Sequence, residues 1–161
     1  IAAINPKLNA FCFVYPDEAL AIAGELDREA RDGKFRGPLH GVPFAIKDNI
    51  DCAGEPTTAG CPDFAYTPSE SAPVVQRLLD AGAILIGKLG THEFATGGPA
   101  VDLPFPPPRN PWDTARGTSG SSSGSAVAIA AVNIRRPQKS SSVPGKDAAP
   151  GSKGGEAARH A

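Results

Sequence analysis

The sequence contains no methionine, a single tryptophan and only three cysteines. Cys12, Cys52 and Cys61 are odd in number and form no C-x-x-C pair, which argues against a zinc site and against a disulfide framework. Reduced thiols in a cytoplasmic protein are the expectation. No apolar stretch approaches the ~20 residues of a spanning helix, so no membrane association is expected. A net charge of -1 gives no electrostatic case for direct contact with nucleic acid. The start at Ile1, with no methionine anywhere, reads as a piece of a longer protein.

Charge and apolar content divide the chain unequally. Residues 1–131 hold 10 basic and 15 acidic residues, whereas residues 132–161 hold six basic and two acidic. The latter segment has no Leu, Phe, Tyr or Trp. It cannot bury enough apolar surface to offset the entropy of ordering it. The expected organisation is therefore one domain part at 1–131, followed by a disordered or out-of-frame tail at 132–161.

Within 1–131 the pattern is that of an α/β protein. Ala10–Tyr15 is a short apolar run suited to a buried strand. Pro16 then opens a helix with Ala19, Ile22, Ala23, Leu26 and Ala30 on one face, and Gly33 ends it. Phe44–Ile50 alternates too little for a half-exposed strand and reads as buried on both faces. A second helix, with Val74, Val75, Leu78 and Leu79 turned inward, ends at Gly82 and runs directly into a buried strand at 83–88. That rhythm belongs to a covered sheet.

The most unusual stretch is Gly117-Thr118-Ser119-Gly120-Ser121-Ser122-Ser123-Gly124-Ser125, followed by the apolar run Ala126–Ala131. Gly, Ser and Thr alone cannot bury a hydrophobic face, and a flexible linker would not end in an apolar helix. The stretch reads as a loop delivering hydroxyls and amides to a helix N-terminus. Gly120–Gly124 matches the G-x-S-x-G nucleophile elbow with Ser122 at its centre, but a Pro-rich loop precedes it where the motif needs a strand. The lysine of a phosphate-binding Walker loop is absent. An anion site at the helix N-terminus stays open.

Lys47 lies inside an apolar run, where lysine is seldom buried unpaired. Two readings follow. It pairs with Asp48 or Asp51, or snorkels to the surface; or it is desolvated, so that the neutral amine serves as a base. In the second reading a buried lysine could draw a proton through a bridging serine hydroxyl from a nucleophilic serine. His40 reads as a packing residue. His92-Glu93 lacks the partner histidine of a metal motif, and no metal or cofactor is expected.

Gly37–Asn49, Gly87–Ala95, Asn110–Asp113 and Gly120–Ser125, in this order and spacing, resemble the amidase signature family over residues 1–131. The resemblance implies an α/β/α fold around a mixed central sheet, incomplete in this chain. It implies hydrolysis of a small-molecule carboxamide through an acyl-enzyme, without a cofactor. Lys47 matches the lysine of the family's Ser-cisSer-Lys triad, and Ser121 matches its bridging serine, which follows a cis peptide bond. A homodimer is within what the resemblance implies for a full-length member. A component of a tRNA-dependent amidotransferase is the second reading, and a non-catalytic, anion-binding remnant is the third.

Two departures stand out. Thr118 and Ser119 replace a proline and a glycine of the family loop, and Ser119 would be strained if that position required a positive φ. The G-T-D-x-G-G-S segment, whose last serine is the family's nucleophile, is absent from the sequence. Its usual separation from Ser121 falls near Gly145; the neighbouring Ser140, Ser141 and Ser142 lack the glycine turn that would build an oxyanion hole. The chain by itself is therefore expected to be inactive.

Overall fold

A computed structural model describes residues 1–96 and 105–135. The chain begins with a short helix, α1 (Asn5–Leu8), followed by strand β1 (Phe11–Val14) and helix α2 (Pro16–Arg31). Strand β2 (Pro43–Lys47), helix α3 (Pro73–Asp80) and strand β3 (Ile84–Leu89) come next, and helix α4 (Ser123–Arg135) closes the described part. The expected tail therefore begins with residues that continue α4, and its remainder, from 136 onward, lies outside the described residues.

The three strands form one mixed sheet in the order β1-β3-β2. β2 and β3 run parallel, joined through α3 as a crossover, and β1 pairs antiparallel to the other edge of β3. β3 is the buried centre, as its apolar run predicts; of its six residues, only Ile86 is not fully buried.

Alternation along β3 sorts the helices into layers. Ile84 and Ile86 pack with Ala19, Ile22, Ala23 and Leu26 of α2. Leu85 points the other way, into a cluster with Ile46, Cys52, Val75 and Leu79. Helices thus cover both faces of the sheet. A third cluster joins Leu8 and Ala10 to Val127, Ala128 and Ala131, seating α4 against the start of the chain.

Two expectations need correction. The run Phe44–Ile50 is not buried throughout: Ile46 and Asp48 are buried, Asn49 is exposed and the others are half-buried, and the strand itself ends at Lys47. Val74 does not face inward but is 55% exposed, whereas Val75 is 0% exposed. At about 100° per residue, α3 aligns Val75 with Leu78 and Leu79, which turns Val74 off the stripe.

The ladder carries an irregularity that matters for the site. Phe44 pairs with Leu85 but Ile46 pairs with Lys88, so β3 holds one extra residue between the two pairings. Gly87 lies in this bulge at φ 156°, and a side chain there would overlap the carbonyl oxygen of Phe13 on β1. Only glycine lets β1 approach so closely.

Candidate active site

Lys47 is the last residue of β2, and the Gly/Ser loop reaches it from the N-terminus of α4. Lys47 Nζ donates to Ser121 Oγ at 2.7 Å, and both residues are half-buried. The Gly120–Ser121 peptide bond is cis. The His92 backbone N–H donates to the Ser121 carbonyl at 3.0 Å. The imidazole of the buried His92 lies directly against Gly120, where any β-carbon would overlap it. Gly124 N–H donates to Gly90 O at 2.9 Å, tying the start of α4 to the loop after β3.

The loop's two departures are accommodated. Among the described residues, the non-glycine residues at positive φ are Asn9, Ala59, Phe94 and Ala95, so Ser119 occupies ordinary backbone space. The strain expected of it is not found, and its β-carbon is tolerated for that reason. Thr118 lines a cavity of about 80 Å³ together with Cys12, Asp48, Thr91, His92 and Ser123, among others.

Lys47 is not paired with either nearby carboxylate among the described residues. Asp48 faces Lys88 at 3.3 Å, and Asp51 accepts the Tyr66 hydroxyl at 2.7 Å. The local pairing of Lys47 is thereby replaced by the long-range contact to Ser121. Lys88 is the functional-site neighbour that sequence reasoning misses. Its signal is present: a lysine at the end of an apolar run that reads as buried, the same argument that singles out Lys47.

The other singled-out residues have clear places. His40 Nδ1 accepts from the Arg36 N–H at 3.0 Å and its Nε2 lies 3.0 Å from Leu26 O, so it ties the loop before β2 to α2. Ser122 is exposed, one residue before α4, and the residues leading into it form no strand. Ser140, Ser141 and Ser142 lie outside the described residues. Burial, reinforced by the charge of Asp48, pushes the Cys12 thiol up to about 12, which leaves it protonated and a poor nucleophile. Among the described residues no group of three His, Cys, Asp or Glu could hold a metal ion, and no helix is long and apolar enough to cross a membrane.

The amidase family profile matches residues 1–134. The chain belongs to the amidase family. It is 46% identical over 135 residues to the A subunit of the glutamyl-tRNA(Gln) amidotransferase from Chloroflexus aurantiacus, a match covering 83% of this chain. The chain spans 28% of that relative's length. Among solved structures it is similar to the peptide amidase of Stenotrophomonas maltophilia, with TM-score 0.69 and 42% identity, over 80% of this chain and 28% of the amidase. It is also similar to a 6-aminohexanoate cyclic dimer hydrolase, with TM-score 0.68 and 30% identity, over 81% of this chain and 26% of the hydrolase. The expected α/β fold with a mixed sheet is the fold of these amidase neighbours.

Proposed function

We propose that this chain carries the proton-relay half of a carboxamide hydrolase centre, with Lys47 as the base and Ser121 as the bridging hydroxyl. The observation that carries this reading is the 2.7 Å contact between Lys47 Nζ and Ser121 Oγ. That spacing lets a proton pass between the two atoms. With Lys47 unprotonated, Ser121 gives its proton to Nζ and takes one from a nucleophilic hydroxyl, whose oxygen attacks the amide carbon. The relay then runs in reverse: the proton returns to the departing nitrogen, the C–N bond breaks, and water hydrolyses the acyl ester.

The nucleophile is not assigned to any serine of this sequence. The 161 residues hold no G-T-D-x-G-G-S segment, so the chain alone is expected to release no ammonia from amides. The reading includes a cytoplasmic location, with which the free cysteines Cys12, Cys52 and Cys61 accord. The amidotransferase reading is favoured by one observation, the 46% identity to the A subunit of a glutamyl-tRNA(Gln) amidotransferase. Both readings share the carboxamide group and part at its source. Glutamine is the amide donor in one, and a simple aliphatic, aryl or peptide amide is the substrate in the other.

The test is a chimera in which residues 1–134 replace the matching part of the Chloroflexus aurantiacus relative. Ammonia release from a panel of carboxamides including glutamine is expected for the chimera and not for the 161-residue chain. Turnover confined to glutamine would favour the amidotransferase reading. A folded chimera inactive on every amide, beside an active parent, would contradict both.

A further inference from the structure

Next to the Lys47–Ser121 contact lies an ion pair that the relay does not use. The side chains of Lys88 and Asp48 are 0% and 1% exposed and stand 3.3 Å apart. Lys88 Nζ also donates to Thr57 Oγ1 at 2.9 Å and to Pro56 O at 3.0 Å. Asp48 Oδ2 accepts from the Thr58 N–H at 3.3 Å and from the Thr58 hydroxyl. Taking two charges out of water costs as much as their attraction returns, so net stabilisation does not account for such a pair. Its position offers another account.

Asp48 directly follows Lys47. Its N–H donates to Leu89 O at 3.0 Å, extending the β2–β3 ladder one step past the lysine, and its carbonyl accepts from Ala59 N–H at 3.0 Å. Main chain and side chain together hold Asp48 to the last residues of β3 and to the 57–59 loop. Lys47 otherwise ends an edge strand, the kind of segment that frays first. The bulge at Gly87 sets the register in which Ile46 pairs with Lys88, bringing Lys88 level with the end of β2.

We propose that the Lys88–Asp48 pair is a positioning device for Lys47, clamping the end of β2 so that Nζ reaches Ser121 Oγ. Its purpose rests on the reading of Lys47 as the base, but the placement itself can be tested without turnover. The test is reductive methylation of the 161-residue chain at a single pH, followed lysine by lysine by mass spectrometry, with the exposed Lys34 as internal reference. In the wild type, Lys47 should react at least ten-fold more slowly than Lys34. Asp48→Asn and Lys88→Met alone each strand a buried charge, and both are expected to melt well below the wild type. The double variant D48N/K88M removes both charges; it should recover most of the lost melting temperature while Lys47 reacts within three-fold of Lys34.

A folded double variant whose Lys47 stays protected would overturn the proposal, as would a wild-type Lys47 as reactive as Lys34. A double variant that does not fold would overturn it too, because the pair would then hold the domain rather than the lysine. An amide-inactive chimera would leave the methylation result standing, so failure of the catalytic reading is told apart from failure of this one.

Discussion

Lys47 Nζ and Ser121 Oγ, 74 positions apart in the chain, stand 2.7 Å from each other. One is the last residue of an edge strand and the other lies two residues before a helix. Their meeting depends on two supports: β3, which carries β2 and the His92 loop, and the close seat of Gly120 on the His92 ring. Each support yields a prediction.

Gly120→Ala drives a methyl group into the His92 imidazole. Overpacking of this kind costs about 1–3 kcal/mol, and relieving it requires a shift of the His92 ring or of the loop that carries Ser121. Thermal melts of Gly120→Ala, His92→Ala and the double variant should show coupling, with the glycine change costing less once the ring is gone. Equal costs in both backgrounds would mean that the ring does not shape the loop.

Breaking the buried pair on one side should be far worse than removing it whole. Lys88→Met or Asp48→Asn is expected to destabilise by about 3–5 kcal/mol, and the double variant by much less than the sum. Urea unfolding of the three variants checks this. Additive losses would contradict the burial of the pair as an interacting unit.

Cys12 should be the slowest of the three thiols toward an alkylating reagent at pH 8. With its thiol held at about 12 by burial, its thiolate fraction is about a thousand-fold below that of a free cysteine. The sign for stability follows from the same shift. The folded state keeps the Cys12 proton longer than the unfolded chain, so this contribution is complete below about pH 8.5 and is lost as pH rises toward 12. Peptide mapping after timed alkylation tests the first expectation, and a melting series from pH 8 to 11 tests the second.

On α3, neighbouring valines should behave in opposite ways. Val75 is 0% exposed and Val74 is 55% exposed. Val75→Ala should cost about 2 kcal/mol, whereas Val74→Ser should stay within about 0.5 kcal/mol. Similar losses at both positions would contradict the orientation of α3.

Much of the frame is legible in the sequence because periodicity is local. The stripe Ala19–Ile22–Ala23–Leu26 and the apolar run into β3 each declare their element within a dozen residues. The site is legible in part. Lys47 stands out as a charge inside an apolar run, and the Gly/Ser loop as a stretch without a core, but their contact joins segments that no periodicity links. Ser121 is reached through family resemblance. The pairing of Asp48 with Lys88 escapes a sequence reading because it depends on the Gly87 bulge, and a one-residue change of register leaves no mark in the hydrophobic pattern. Val74 is misplaced by that pattern because four apolar residues in α3 spread wider than the face the sheet can cover.

The most direct measurement is intact-mass detection of the acyl-enzyme, with ammonia release, in the chimera carrying residues 1–134 and in its Lys47→Ala and Ser121→Ala versions. The account predicts an acyl adduct with the starting chimera and a rate lowered by about 10²–10⁴ in each variant, with the fold retained. Variants that acylate at the unaltered rate would contradict it, because the 2.7 Å contact would then have no part in the chemistry.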